Sequence, residues 1–342
     1  MKYLLVLILV VSFSSCTNYD EKMRKFDASF TKMRKITSAN VLNHELILGR
    51  PYIIHYADSS VVIYDDINDS IFTLIDLRDN NSVYHFGKRG EGNNEFLQVF
   101  SLCSLYGDSL IGVYDVYKRN LVEMNLRQIK QGNIQFPVLM QDSLMSLNIC
   151  PTQYDTYLGL GFYENNMFSR YYYEYPYRDK QEKEVKNRLR GMAYQGTLSS
   201  NKSLNRFVFA IGSAPIFSLY SVNKDNIDKS FEFVGGYPEY KTEDTGTTRS
   251  APMSVANKMA FIKAYATEKY VYLLYSGNSY KEVGVKAFNG KIIYQLAWDA
   301  TPICKFVLDF PIMNFCVSDS DDTIYALMDK EEVELVKYSL NL

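Results

Sequence analysis

Residues 57–77 read Ala57-Asp58-Ser59-Ser60-Val61-Val62-Ile63-Tyr64-Asp65-Asp66-Ile67-Asn68-Asp69-Ser70-Ile71-Phe72-Thr73-Leu74-Ile75-Asp76-Leu77. A polar turn, an apolar strand, a second polar turn and a second strand follow one another. β-Branched and aromatic residues suit pleated, buried surfaces, and Asp, Ser and Asn close tight turns through their own side chains. The unit recurs at Gly107-Asp108-Ser109, with strands 110–114 and 121–126. It recurs again as Tyr157–Phe162 with Ser169–Tyr175, and as Arg206–Ile211 with Ile216–Val222. A fifth copy runs Val271–Tyr275, Val283–Phe288 and Lys291–Leu296, and a sixth Thr323–Leu327 with Val333–Leu340. The anchor strands begin near 61, 110, 157, 206, 270 and 323, in steps of 49, 47, 49, 64 and 53. Short strands with regular turns also suit sandwiches and barrels. A repeat at this period is instead one propeller blade plus its loops. The expected fold is all-β, a six-bladed β-propeller of four-stranded antiparallel blades over 39–342.

Three stretches fall outside the repeat. Residues Asp20–Lys35 place Met23, Phe26, Phe30 and Met33 at loose helical spacing, which suits a short helix or a tether. The charged insertion Asp179–Arg190 reads as a solvated loop or one helical turn, and Thr242–Ser250 as a long polar loop. The ring is expected to close by pairing Glu45–Leu48 with Glu334–Leu340, since both ends hold unassigned strand.

Composition narrows the partners. The chain has 37 basic and 39 acidic residues, and without Lys2 the net charge is about −3. No Lys/Arg cluster interleaves with aromatics, so nucleic acid is not an expected partner. Tyr 29 and Phe 20 against one Trp fit strand packing, with a sugar-stacking surface as the alternative. Cys103, Cys150, Cys304 and Cys316 sit in apolar runs without a C-x-x-C spacing, as buried free thiols do. An oxidising compartment would permit a disulfide, with Cys304–Cys316 the first pair to consider.

The N-terminus points to that compartment. Lys2, the apolar run Leu4–Val11 and the small residues before Cys16 form a secretory leader over 1–15, its apolar core about half the length a bilayer span needs. Ser14-Ser15-Cys16 resembles the bacterial lipobox, in which the thiol is acylated and the chain is cut before it; Phe13 departs from the usual aliphatic residue. The expected organisation is a lipidated Cys16, a polar tether to residue 38, and the propeller. The implied location is the cell envelope, anchored to the outer membrane. Asp20 and Glu21 resemble the surface-export signal of Bacteroidetes lipoproteins.

Two further resemblances bear on the fold. Phe86-Gly87-Lys88-Arg89-Gly90-Glu91-Gly92-Asn93-Asn94-Glu95-Phe96 resembles the inter-blade turn of NHL-type propellers. Ala193–Leu198, Lys269–Gly277 and Thr323–Leu327 are similar to the TolB-like six-bladed propeller lipoproteins of Bacteroidetes, a largely uncharacterised family. The implied structural turn uses Gly87, Gly90 and Gly92 for positive φ and Phe96 as an apolar plug between blades. It lacks the spacing of a phosphate loop.

Catalytic signatures are missing from the sequence. His44, His55 and His85 form no metal or triad spacing, and no G-x-S-x-G elbow is present. Asp319–Thr323 begins like a calcium loop without its Gly and terminal Glu. No catalytic residue and no cofactor is assigned. Function on a propeller follows its loops rather than its fold. The candidate ligand surface is Tyr171, Tyr172, Tyr173, Tyr175 and Tyr177, which would engage an envelope protein, a peptide or a glycan. Alternation puts Tyr171, Tyr173 and Tyr175 on one face and Tyr172 with Glu174 on the other. The alternative is a calcium-dependent propeller hydrolase or lactonase, its ligands gathered from several blades around the channel.

Overall fold

The computed structural model describes the backbone of residues 14–41 and 46–340, and side chains from Glu21 onward. The leader core 1–13, the Cys16 side chain, His44 and Glu45 lie outside the described residues. Six radial units surround an axis. Their innermost strands are Pro51–Ala57, Val99–Ser104, Asn148–Pro151, Gly196–Ser200, Phe261–Ala266 and the second half of Pro302–Val317. Each innermost strand contacts the next around the ring, and the sixth contacts the first. The molecule is a six-bladed propeller.

All six anchor strands are the second strands of their blades: Ser60–Asp65, Leu110–Asp115, Tyr157–Leu160, Arg206–Ile211, Tyr270–Tyr275 and Thr323–Asp329. The physical reason is visible in blade 1, where Ser60–Asp65 is buried at every position while the outer strand Ser82–Phe86 is mostly half-buried. A strand covered on both faces reads as a continuous apolar run. The hydrophobic core therefore lies between blades. Its clusters are shared by blades 1 and 2, by blades 2, 3 and 4, by blades 4 and 5 with the N-terminal helix, and by blades 5, 6 and 1.

Blades 1, 2 and 4 are four-stranded antiparallel sheets. Blades 5 and 6 share the sixteen-residue strand Pro302–Val317, which pairs first with Gly290–Ala297 and then with Thr323–Asp329. Blade 3 departs from the expected four strands. Asn148–Pro151 pairs with Tyr157–Leu160, and beyond these a single bridge, Leu160 to Phe168, continues the sheet. Ser169–Tyr175 is not a strand. Val283–Phe288 likewise belongs to helical turns, Tyr280–Val283 and Gly284–Phe288, started by a capping box between Ser279 and Glu282.

Ring closure uses the C-terminal strand Val333–Ser339 but a different N-terminal partner. Ala39 and Asn40 pair antiparallel with Lys337 and Val336, and Val41 N–H donates to the Leu335 carbonyl at 3.3 Å. The segment 46–48 is instead the entry to blade 1, because the Gly49 and Arg50 N–H groups are held by the Asp65 carboxylate at 2.6 and 2.9 Å. Leu48 is buried in the cluster of blades 5, 6 and 1.

The tether expectation fails from Glu21 on. Ser14–Ala28 is an α-helix whose Met23 and Phe26, with Phe30 just beyond it, pack on Phe217, Phe261 and Tyr294 where blades 4 and 5 meet. Tyr294 O–H donates to Asp27 at 2.7 Å. Met33–Ile36 then adds parallel to Lys305–Leu308, covering the edge of blade 5. Met33 itself is exposed. The charged insertion is also more ordered than a solvated loop: it forms helices Lys180–Lys183 and Asn187–Ala193, and Asn187, Leu189 and Arg190 are buried. Residues 243–250 form an exposed two-stranded hairpin. Among the described residues no helix is long and apolar enough to cross a membrane.

Candidate functional sites in the channel and on blade 3

One residue on the inner strand of every blade makes up a set termed the belt. His55, Cys103, Cys150, Ser199, Tyr265 and Cys316 stand opposite Val62, Gly112, Leu158, Val208, Tyr272 and Tyr325 of their second strands. Three of the four free, buried cysteines therefore stand on inner strands, in blades 2, 3 and 6. All of the belt but Cys316 borders a cavity of about 40 Å³, which Lys263 of blade 5 also lines.

Burial dominates the electrostatics there. It lowers His55 to about 3, helped by the charge of Lys263, so the imidazole is neutral at pH 7. Its Nε2 lies 3.4 Å from Ser104 Oγ. Burial lowers Lys263 to about 8, pushes Cys150 up to about 12, and drives Cys103 and Cys316 well above the usual thiol range. Protonated, desolvated thiols are poor nucleophiles. One mouth of the channel is spanned by a charge triad. Lys202, after the inner strand of blade 4, reaches Asp108 of blade 2 and Asp319 of blade 6, each at 2.8 Å.

The tyrosine stretch divides as the alternation of side chains would suggest, though no strand carries it. Tyr171 and Tyr175 are buried and Tyr173 is half-buried, all three packing in the cluster of blades 2, 3 and 4. Tyr172 is 70% exposed and Tyr177 39%. The buried Arg190 braces this surface. Its Nη2 donates to Glu174 at 3.0 Å, and its guanidinium lies 5.4 Å from the Tyr177 ring centroid. Tyr172 O–H donates to the other Glu174 oxygen at 2.8 Å, and together with Arg190 this holds the carboxyl below its ordinary value. Asn187 accepts from Tyr175 N–H and donates to the Tyr163 and Asn166 carbonyls, fixing the insertion beneath.

In the inter-blade turn, Gly87 has φ +71° and Gly90 +154°, whereas Gly92 is not in the positive-φ region. A Cβ on Gly90 would run into the Glu95 carboxylate. Phe96 is buried against Phe72 and Phe136, in the cluster of blades 1 and 2. Cys304 and Cys316 are free; they face Gln295 in blade 5 and Tyr325 in blade 6. Among the described residues no three His, Cys, Asp or Glu side chains are grouped so as to hold a metal ion. Asp321, from the calcium-like turn, instead accepts from the Thr267 and Tyr272 hydroxyls at 2.7 and 2.9 Å. Neither Lys263 nor the belt stands out in the sequence; the signal that could have found them is the alignment of the six inner strands.

No curated protein matches the chain. Among solved structures, a Bacteroides fragilis NCTC 9343 protein provisionally described as exported is 11% identical, with 89% of this chain and 94% of that one covered at a TM-score of 0.47. A luciferin-regenerating enzyme is 10% identical, with 86% and 92% covered at 0.46. The Cps50 (Swd1) β-propeller domain of Myceliophteria thermophila is 10% identical, with 86% and 99% covered at 0.46. These likenesses carry no weight beside the match to a family model, which spans residues 29–320. The chain belongs to the TolB-like 6-blade propeller-like family.

Proposed function

We propose that this protein is a lipid-anchored binding module of the bacterial cell envelope, which engages a protein or peptide partner through the insertion in blade 3. The observation that carries the reading is local. Blade 3 lacks the regular outer strands of its neighbours, and residues 161–195 replace them with a braced surface that displays Tyr172 and Tyr177. Aromatic and Arg side chains of low residual freedom dominate binding energy at protein interfaces, where truncating one costs about 2 kcal/mol or more. Arg190, Asn187 and the buried tyrosines restrict the surface before any partner arrives, which reduces the ordering cost of association. The leader and Cys16 support the anchor, since two or more acyl chains on one cysteine suffice for stable membrane attachment.

The test places a benzophenone amino acid at position 172 in cells, with position 106, an exposed tyrosine of blade 2, as control. A discrete adduct from 172 alone is expected, and Tyr177→Ala should weaken it. Identical products from both positions would remove the reading. A glycan partner would instead give no protein adduct, with array binding that Tyr172→Ala abolishes. Labelling with an alkynyl fatty acid that is lost in Cys16→Ser tests the anchor separately.

A further inference from the structure

Among the described residues, Lys263 is the one basic side chain other than the neutral His55 that lines the belt cavity, and no acidic residue borders it. Among the described residues Lys263 has no carboxylate partner in this lining, and burial lowers its ammonium to about 8. The rest of the lining offers protons rather than negative charge. Ser101 Oγ accepts from Ile149 N–H at 3.4 Å, and Ser199 Oγ accepts from Ala266 N–H at 3.1 Å. Each hydroxyl therefore keeps its own proton to donate elsewhere. Asn148 adds an amide to the same lining. Lys263 is half-buried, and an ammonium partly withdrawn from bulk water without a counter-charge is costly, while several donors around it repeat the same polarity.

We propose that the channel of this propeller is a binding site for one small monovalent anion of halide size, held by the Lys263 ammonium and the Ser101 and Ser199 hydroxyls. The volume of about 40 Å³, room for a few waters, admits a chloride or bromide ion. The lining sets the sign, because a cation would meet Lys263 with no carboxylate to offset it. The Lys202–Asp108–Asp319 triad spans one mouth of the channel. The site is independent of the tyrosine surface on blade 3.

The experiment uses the soluble chain from residue 17. Melting is followed in sodium chloride, sodium bromide and sodium gluconate at constant ionic strength, and crystals grown in bromide are measured at the bromine edge. Melting temperature is expected to rise by about 2–4 °C for each tenfold increase in chloride above saturation. Gluconate should give no rise, and Lys263→Met should melt independently of anion. Anomalous density is expected beside the Lys263 ammonium. Identical melting in chloride and gluconate, or a cavity without anomalous density, would overturn the assignment. If Lys263→Met fails to fold, Ser199→Ala serves as the second variant, with an expected rightward shift of the chloride dependence. The bromide density in the unmodified protein decides the matter without either variant.

Discussion

Acidification should destabilise this protein through the buried imidazole of His55. His55 sits in the belt with its pKa held near 3, against an ordinary value of 6.5, because burial and the Lys263 charge both disfavour the imidazolium. Its folded value is depressed, so between about 6.5 and 3 the unfolded chain binds the proton and the folded chain does not. Stability must then fall as pH drops through the unfolded value, and the loss levels off only near 3. From pH 8 to pH 5 this single group removes about 2 kcal/mol, using ~1.4 kcal/mol per unit of displacement. That is a large part of the roughly 5–15 kcal/mol typical of folded domains. Burial opposes the charge on Asp66, Asp76 and Asp142, but their hydrogen-bond partners outweigh it and hold all three below the usual carboxylate range. Their contributions therefore disappear only at more acidic pH. Urea unfolding at pH 8 and pH 5 measures the effect, compared with His55→Gln, whose amide can still reach Ser104. The variant should lose less than ~0.5 kcal/mol over the same interval. Equal pH dependence in the two proteins would refute the assignment to His55.

Four further outcomes are expected. Phe30→Ala should cost about 3 kcal/mol in urea unfolding, since Phe30 packs on Phe26 and Tyr294 at 5.2 and 4.9 Å; an effect within error would return the N-terminal segment to a tether. Asp321→Asn should stabilise at pH 7 but not at pH 3: burial raises the Asp321 carboxyl, so stability declines as pH rises through its folded value, and Oδ2 has no partner. Asn also tolerates the φ of +59° there, and equal melting shifts at both pH values would count against the account. All four thiols Cys103, Cys150, Cys304 and Cys316 should resist a thiol reagent in the native protein and react together on unfolding; rapid native labelling would contradict their burial. Deleting residues 333–342 should abolish cooperative unfolding, because Leu335, Val336, Tyr338 and Leu340 are buried and together supply about 6–12 kcal/mol; a truncated chain with an unchanged melting curve would exclude this closure.

The fold was legible where burial on both faces left an apolar run, which is why the second strand of each blade stands out. Reading failed where tertiary contacts outweigh local propensity. Ser169–Tyr175 has the aromatic content of a strand, yet Tyr175 N–H is taken by the Asn187 side chain and Tyr175 O–H donates to the Gly161 carbonyl. Val283–Phe288 is apolar enough for a strand, but Ser279 and Glu282 start a helix just upstream, a signal present in the sequence. The closing strand was displaced because Asp65 commits Gly49 and Arg50 to the entry of blade 1, a contact across sixteen residues. The belt was invisible for a different reason. His55, Cys103, Cys150, Ser199, Tyr265 and Cys316 lie on inner strands that only ring closure brings side by side, and no local pattern encodes that closure.

Blade 3 shows how such a ring can carry an exposed aromatic surface on a blade of only two regular strands. Its stability comes from clusters between blades, so a blade needs an inner pair of strands and enough apolar surface to meet its neighbours, not four strands of its own. In blade 3 the missing outer strands are replaced by Phe168, Tyr171 and Tyr175 together with Leu189 and Ala193, of which all but Leu189 join the cluster shared with blades 2 and 4. The backbone freed from the sheet is then satisfied by side chains: Asn187 serves Tyr163, Asn166 and Tyr175, and Ser169 Oγ accepts from Gly159 N–H. Side-chain satisfaction permits a chain path that a strand ladder would forbid. Tyr172 and Tyr177 therefore reach solvent from a segment whose other aromatics remain in the core. Substitutions at Tyr172 should change partner binding with little change in stability, whereas Asn187→Ala should change both, because it removes the contacts that give the surface its shape.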